Sequence, residues 1–251
     1  MDSSLKGRAA IITGASKGLG RVMAPVFAEA GCRVAVHYFS NEENAKDVVK
    51  NIKEAGGEAF AVKADISNAS QVKSLFEAAT SRYGTVDILV NNARVDPYKR
   101  PAGLSEGEWF DRVIGVSLKG AYLCTLEAFR IMKEQRWGRI LNVSSVHSQA
   151  ASPLFLVPYG ISKIGMLNIT RSFATAGAEF GITVNTLAPG LIITETLEER
   201  ITAEEIDAQK ASIPLKRGAT TREVAEAALF CVQAAFMTGE TLNLNGGVFM
   251  P

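Results

Sequence analysis

Thr13-Gly14-Ala15-Ser16-Lys17-Gly18-Leu19-Gly20 follows directly on the apolar run Ala9 to Ile12 and leads into an amphipathic stretch, Leu19 to Ala30, that closes at Gly31. A short apolar run that breaks into glycines and resumes with helical periodicity reads as a buried strand handing over to a helix. Glycines at 14, 18 and 20 permit a tight turn there. They also let backbone N–H groups come close to a pyrophosphate at the helix N-terminus. The spacing is Gly-x-x-x-Gly-x-Gly, not Gly-x-Gly-x-x-Gly. Three glycines in eight residues are weak evidence alone; their place after the first strand of a βαβ unit gives them weight.

Working outward, the same alternation repeats. Cys32 to Val36 reads as a strand, Glu42 to Ala55 as a helix ended by Gly56 and Gly57, and Ala59 to Val62 as a strand. A helix from about Gln71 stops at Gly84, and Val86 to Val90 is the next strand. The pattern continues with a long helix from Glu106 to Glu134, a strand from Arg139 to Val143 and a helix from Leu154 to Phe180. A strand from Thr183 to Leu187, a mixed segment to about Gly218, a helix from Arg222 to Gln233 and a strand from Thr241 to Leu244 complete it. Continuous Val/Ile/Leu strands joined by helices predict a parallel sheet covered on both faces. With no linker, charge block or repeat to divide it, the chain reads as one doubly wound, Rossmann-type α/β domain over 1–251, with about seven parallel strands. Pro25 falls inside the first helix, where it removes one backbone hydrogen bond.

Composition excludes several roles. Lys plus Arg number 27 against 26 Asp plus Glu, a balance that offers no bulk field for nucleic acid or an anionic membrane. The start, Met1 to Gly14, lacks a signal-peptide apolar core, and no stretch approaches 18 uninterrupted apolar residues, so a cytoplasmic protein is expected. Cys32, Cys124 and Cys231 are far apart and odd in number, which fits small buried apolar residues better than a disulfide framework or a metal site.

Tyr159 and Lys163 stand at i and i+4 and share one helix face. An arbitrary Tyr-x-x-x-Lys is usually an amphipathic pair with wet tips. This one opens the helix that follows a strand ending in Ser144-Ser145, and strand C-termini are where doubly wound folds place ligands. Reduction of a carbonyl needs a hydride and a proton. A phenol, with a reference pKa of about 10, exchanges protons reluctantly near neutral pH unless a neighbouring ammonium favours the phenolate.

The Thr-Gly-x-x-x-Gly-x-Gly turn and the Tyr-x-x-x-Lys pair resemble the short-chain dehydrogenase/reductase family. Further segments match in the family's order across essentially the whole chain. Asp65 follows the third strand, Asn91-Asn92-Ala93 closes the fourth, Pro189-Gly190 with Thr194 follows the sixth, and Asn245-Gly246-Gly247 ends the chain. The resemblance implies a catalytic set of Tyr159, Lys163 and Ser145, with Ser145 donating to the substrate oxygen. Ser145 takes the place of the family's serine, although its 14-residue separation from Tyr159 is one more than is common. Cofactor contacts are implied at Gly14, Ser16, Lys17, Gly18, Leu19, Gly20, Tyr38, Phe39, Ser40, Asp65 and Ile66. They are implied also at Asn92, Ala93, Tyr159, Lys163, Pro189, Gly190, Ile192 and Thr194.

Two positions depart from the family. Ser117, in Ser-Leu-Lys-Gly, stands where an Asn usually supports a water-linked proton path to the lysine, so a relay through it has shorter reach. Arg94 stands where Gly normally follows Asn-Asn-Ala, and its side chain must point away from the nucleotide or cover it.

The cofactor expected is NADP, with NAD as the alternative. The second strand runs into Val36-His37-Tyr38-Phe39-Ser40-Asn41 with no acid before Glu42, whereas an acid there would bind the ribose hydroxyls of NAD. Lys17 is a cation suited to a 2′-phosphate, and His37 reads only as a strand cap. The loop Val146 to Pro158 and the lid Leu191 to Leu215 are expected to face the substrate. The loop is apolar with one amide, Gln149, which suits a ketone with an aliphatic arm. Overall similarity points to 3-oxoacyl-(acyl-carrier-protein) reductase-like members, with Arg130 and Arg136 as candidates to meet an acidic carrier. The alternatives are a sugar or alcohol dehydrogenase, since Ser-Val-His and Pro-Leu-Phe resemble bacterial glucose dehydrogenases, and a nucleotide-binding sensor with little turnover. The resemblance also implies a homotetramer, with the apolar end Gly247 to Pro251 suited equally to burial in a neighbour or to packing on its own domain.

Overall fold

The structure is a computed structural model that describes residues 5–198 and 201–250. The chain runs through β1 (Ala9–Ile12), α1 (Gly18–Glu29), β2 (Arg33–Tyr38), α2 (Glu42–Glu54), β3 (Glu58–Lys63), α3 (Ala69–Tyr83) and β4 (Ile88–Asn91). It continues with α4 (Glu106–Ile114), a π-helical segment (Gly115–Gly120), α5 (Ala121–Gln135), β5 (Gly138–Val143), α6 (Val157–Gly177) and β6 (Ile182–Pro189). It ends with β7 (Ile192–Ile193), α7 (Glu195–Glu198), α8 (Ala203–Ser212), β8 (Ala219–Thr220), α9 (Thr221–Gln233) and β9 (Thr241–Leu244).

Seven strands form one parallel sheet in the order β3-β2-β1-β4-β5-β6-β9. This is the doubly wound architecture that the strand–helix rhythm predicts. Alternate residues of each strand go to opposite faces. Ala10, Ile12, Val34 and Val36 pack with α1, α2 and α9 on one side; Ala9, Ile11 and Ala35 pack with α3 and α5 on the other. Both faces are covered, which is why the strands read as unbroken apolar runs. All three cysteines are buried and unpaired, as small apolar core residues.

The order reverses between β1 and β4, and at such a switch point the connections leave in opposite directions and open a crevice beyond the strand ends. A buried polar ladder crosses the sheet at that end. Asn91 donates to Thr125 Oγ1 (2.9 Å) and to Asn142 Oδ1 (2.8 Å), and Asn142 donates to Thr170 Oγ1 (2.8 Å), which lies 2.7 Å from Thr186 Oγ1. It locks the ends of β4, β5 and β6 to α5 and α6.

Sequence periodicity predicts a single helix from Glu106 to Glu134; the structure interrupts it with the π-helical segment. Glycines bound that segment, and Gly120 sits so close to Ile66 that a Cβ would lie 2.8 Å from its side chain. Close packing and one residue of slack per turn widen the helix there, a feature often found at functional sites. α1 runs unbroken through Pro25. No helix among the described residues is long and apolar enough to cross a membrane.

Candidate active site

The glycine turn lies in the crevice and is held from both sides. On the β4 side, Thr13 Oγ1 accepts from Asn92 N (2.9 Å) and Ala93 N (3.0 Å) and donates to Val90 O. Asn92 Nδ2 donates to the carbonyls of Thr13 (2.8 Å) and Gly14 (3.2 Å). On the β2 side, Gly14 N donates to His37 Nδ1 (3.0 Å) and Ala15 N to His37 O (2.8 Å). Gly14 adopts φ +65, and a Cβ there would stand 2.9 Å from Ala93 Cα. A Cβ on Gly20 would lie 2.3 Å from Gly14 O, so these two glycines are required by space.

What the turn leaves free is the start of α1. Lys17 occupies the N-cap with no side-chain cap, and no acidic residue stands in the first turn. Orphan N–H groups and the positive end of the helix therefore face the crevice. Four other helices carry side-chain caps: α3 through Asn68, and α4, α8 and α9 through capping boxes. The uncapped, glycine-lined start of α1 is a cradle that fits a dinucleotide's pyrophosphate. Ser16 is buried, Lys17 is exposed and Leu19 packs against the core.

β5 and α6 together position Ser144, Ser145, Tyr159 and Lys163. Ser144 Oγ donates to Lys163 O (3.0 Å), so this hydroxyl is committed to holding the strand end against α6. Ser145 Oγ accepts from His147 N (3.3 Å), and its own proton has no acceptor among the described residues. That difference separates the adjacent serines: only Ser145 has a hydroxyl to offer. Lys163 is fully buried at 1% exposure, with Nζ donating to Val143 O (2.8 Å) and lying 5.3 Å from the centre of the Tyr159 ring. Burial, reinforced by the charge of Arg94, pulls the Lys163 pKa down to about 7. The ring of His147 meets that of Tyr159 edge-on at 6.1 Å, and its Nδ1 lies 3.2 Å from Ser152 Oγ; burial lowers its pKa.

The two departures from the family have definite places. Ser117 is buried in the π-helical segment and accepts from Val95 N (3.3 Å). Its hydroxyl makes no hydrogen bond to Lys163 among the described residues, so any relay between them must pass through another group. Arg94 forms a loose ion pair with Asp96 (3.7 Å), and its guanidinium is partly exposed.

Around these groups the structure sorts the remaining residues. Tyr38 is buried in the core with its hydroxyl directed at Glu42, whereas Phe39 and Ser40 are exposed. Glu42, the first acid after β2, is paired with Lys46 (2.6 Å). Asp65 Oδ1 accepts from the N and Oγ of Ser67, and Ile66 is buried. Pro189 ends β6, Gly190 follows it, Ile192 lies in β7, and Thr194 Oγ1 accepts from Leu197 N at the start of α7. All of these stand at C-terminal ends of parallel strands or in the loops that follow.

Two sequence expectations need correction. Gln149, the one amide expected to face substrate, instead donates to Asn243 Oδ1 of β9 (2.8 Å), because the loop folds back over the sheet. His37 does not cap its strand; at 2% exposure it bridges the glycine turn and β3. Sequence reading also passed over Thr13, whose hydroxyl joins β1 to β4. The signal was present in both cases: polar residues at the end of otherwise apolar strands must find internal partners. No cluster of His, Cys, Asp or Glu able to hold a metal ion occurs among the described residues.

The chain is similar in sequence and in fold to known proteins. The sequence profile of the family described as enoyl-(acyl carrier protein) reductase matches residues 14–249. The chain is 36% identical over 245 residues to the 3-oxoacyl-(acyl-carrier-protein) reductase FabG of Staphylococcus aureus, covering 97% of this chain and 98% of that protein. It is 36% identical over 252 residues to glucose 1-dehydrogenase 2 of Bacillus subtilis, covering 99% and 97%. A double mutant of a Serratia marcescens short-chain dehydrogenase/reductase superposes with a TM-score of 0.89 at 29% identity, covering 98% of this chain and 99% of that one.

Proposed function

The chain belongs to the short-chain dehydrogenase/reductase family of oxidoreductases, and from that premise we propose that it is an NADP(H)-dependent enzyme interconverting a ketone with an apolar arm and the secondary alcohol. The observation that carries this reading is the grouping of an uncommitted Ser145 hydroxyl, Tyr159 and the buried Lys163 at the crevice that holds the glycine turn.

When bound, the cofactor supplies the hydride. Gly18, Leu19 and Gly20 would present their amides to its pyrophosphate, and Lys163 would hold the nicotinamide ribose. Ser145 donates to the carbonyl oxygen and stabilises charge developing there. Tyr159 delivers the proton to the same oxygen. The ammonium form of Lys163, with Nζ 5.3 Å from the centre of the Tyr159 ring, favours the phenolate and so eases loss of the phenolic proton. NADP is favoured because no acid precedes Glu42 at the end of β2, where one would bind the ribose hydroxyls of NAD, and Lys17 is exposed to meet a 2′-phosphate.

An apolar substrate arm is supported by the mouth of the crevice, where exposed Leu154, Phe155 and Val157 stand beside Tyr98, its ring 5.7 Å from that of Phe155. A carrier-bound substrate has less support. Arg130 pairs with Glu127 and Glu134, and Arg136 donates to Glu179 O, so both candidate arginines are engaged within the chain. His147 beside Tyr159 favours a second reading, oxidation of a sugar hydroxyl, since its ring gives a polyol a polar partner. A groove of about 440 Å³ between α5 and α6, lined by Leu118, Tyr122, Ile169 and Phe173, supports assembly with further copies into a homotetramer.

The test is NADPH and NADH oxidation against a panel of 3-ketoesters and simple ketones, with NADP-dependent glucose oxidation alongside. Turnover of ketones with NADPH preferred supports the proposal. Turnover of sugars alone favours the second reading, and cofactor binding without turnover of any substrate sinks both.

A further inference from the structure

We propose that His37 is a positioning residue for the cofactor: its ring fixes the glycine turn so that the pyrophosphate is met by the amides of Gly18, Leu19 and Gly20, and not by those of Gly14 and Ala15. This rests on the reading of the turn as the cofactor site. It adds a residue and an assignment of donors within that site.

The hydrogen bonds determine the state of the ring. Gly14 N is 3.0 Å from Nδ1, and a backbone N–H can only donate, so Nδ1 carries the lone pair. Ala64 O is 3.0 Å from Nε2 and can only accept, so Nε2 carries the proton. His37 is thus a neutral imidazole in a single tautomer, bridging the turn after β1 to the end of β3. Its own carbonyl takes the next amide of the turn, from Ala15. One residue of β2 therefore accepts both N–H groups at the start of the turn, while Asn92 takes the carbonyls of Thr13 and Gly14 from the other side.

A turn built on three glycines is otherwise conformationally loose. The Gly14 peptide is held at both ends, N–H to β2 and C=O to β4, and its φ of +65 leaves it no room for a Cβ against Ala93. The amides that follow differ. Those of Gly18, Leu19 and Gly20 find no acceptor among the described residues, and Lys17 provides no cap. Without Nδ1, the part-buried Gly14 N–H would be left unpaired, and the turn would rotate to satisfy it. The free amides would then lose their common direction.

Two substitutions separate the halves of the bridge. In His37→Asn the Asn Oδ1 falls near the place of Nδ1 and keeps an acceptor for Gly14, while the bond to Ala64 is lost. In His37→Gln a donor can reach Ala64, but the acceptor at the δ position is gone. NADPH and NADH binding is measured by fluorescence titration, with KM and kcat at saturating substrate and circular dichroism to establish folding. The expectation is that His37→Asn binds within about threefold of wild type while His37→Gln binds about tenfold more weakly, a difference of about 1.4 kcal/mol, with kcat nearly equal in the two. Equal losses in both variants, or none in either, would overturn the proposal. Failure of the wild-type chain to bind either nucleotide would instead overturn the cofactor reading beneath it.

A second measurement needs no substitution. In ¹⁵N-labelled protein a scalar coupling between Gly14 N and His37 Nδ1 is expected, persisting when NADPH saturates the site. A protonated Nδ1, or loss of the coupling on saturation, would overturn the proposal even if a variant failed to fold.

Discussion

The ammonium of Lys163 lies 2.8 Å from the carbonyl oxygen of Val143, the last residue of β5. In return the next residue, Ser144, donates to the carbonyl of Lys163. Strand and helix thus hold each other through two reciprocal bonds, and the lysine is brought to the reacting centre at the cost of near-complete burial. Its pKa of about 7 follows from that burial first and from Arg94 second. Since the folded pKa lies below the unfolded value of 10.5, the unfolded chain binds this proton more tightly between the two, and stability rises with pH across that window. Below pH 7 the cost of the buried charge is borne in full.

Lys163→Met should therefore raise thermodynamic stability near pH 7, by about 1–3 kcal/mol, while reducing turnover by about 10²-fold or more. Urea denaturation and steady-state kinetics on the same preparation check this. A variant that is both less stable and inactive would refute the account of the lysine's burial.

Arg94→Gly removes the charge that adds to burial in depressing the Lys163 pKa. The limb of the kcat/KM–pH profile assigned to Lys163 should move to higher pH by a fraction of a unit, because the guanidinium is partly exposed and screened. The displacement should shrink as salt is raised toward 0.5 M, where screening is stronger. An unmoved limb at low salt would separate Arg94 from Lys163.

Ser144 and Ser145 should part company on mutation. Ser144→Ala loses a buried hydrogen bond to α6 and should cost stability of about 1 kcal/mol with a modest effect on kcat. Ser145→Ala loses the bond from His147 N, a cost of similar size, and should in addition lower kcat by about 10²-fold. Reversal of the two outcomes would assign the substrate contact to Ser144.

Burial, partly opposed by the bond to Ala64 O and the charge of Asp65, depresses the His37 pKa from 6.5 to about 4. A depressed pKa means that the unfolded chain takes up the proton first as pH falls. The contribution of His37 is complete above pH 6.5 and is lost progressively down to about pH 4. Over that interval the wild type should lose stability relative to His37→Gln by up to roughly 3 kcal/mol, read from urea midpoints at pH 4 and pH 7. Parallel pH dependences in the two proteins would show that His37 does not carry the proton linkage.

Much of the fold is legible in the sequence, because its causes are local. Apolar runs of strand length, helices ended by glycine, and a turn with glycines at 14, 18 and 20 are written in consecutive residues, and together they admit only a covered parallel sheet. The i,i+4 pairing of Tyr159 and Lys163 is equally local. The π-helical segment is not legible in this way, since helical periodicity runs on through Gly115–Gly120, where Gly120 packs against Ile66, 54 positions away in the chain.

The sequence by itself determined the strand order's ingredients, the residue types at the reacting centre and the absence of an acid between β2 and Glu42. Tertiary structure decided which of those residues have groups left to use. Ser144 and Ser145 are identical in chemistry, yet only one keeps its hydroxyl. Gln149 left the substrate face for Asn243, and His37 became the support of the glycine turn. The physical reason is the same in each case. A buried polar group must find a partner, and which partner lies within 3 Å depends on residues that meet only when the sheet has closed.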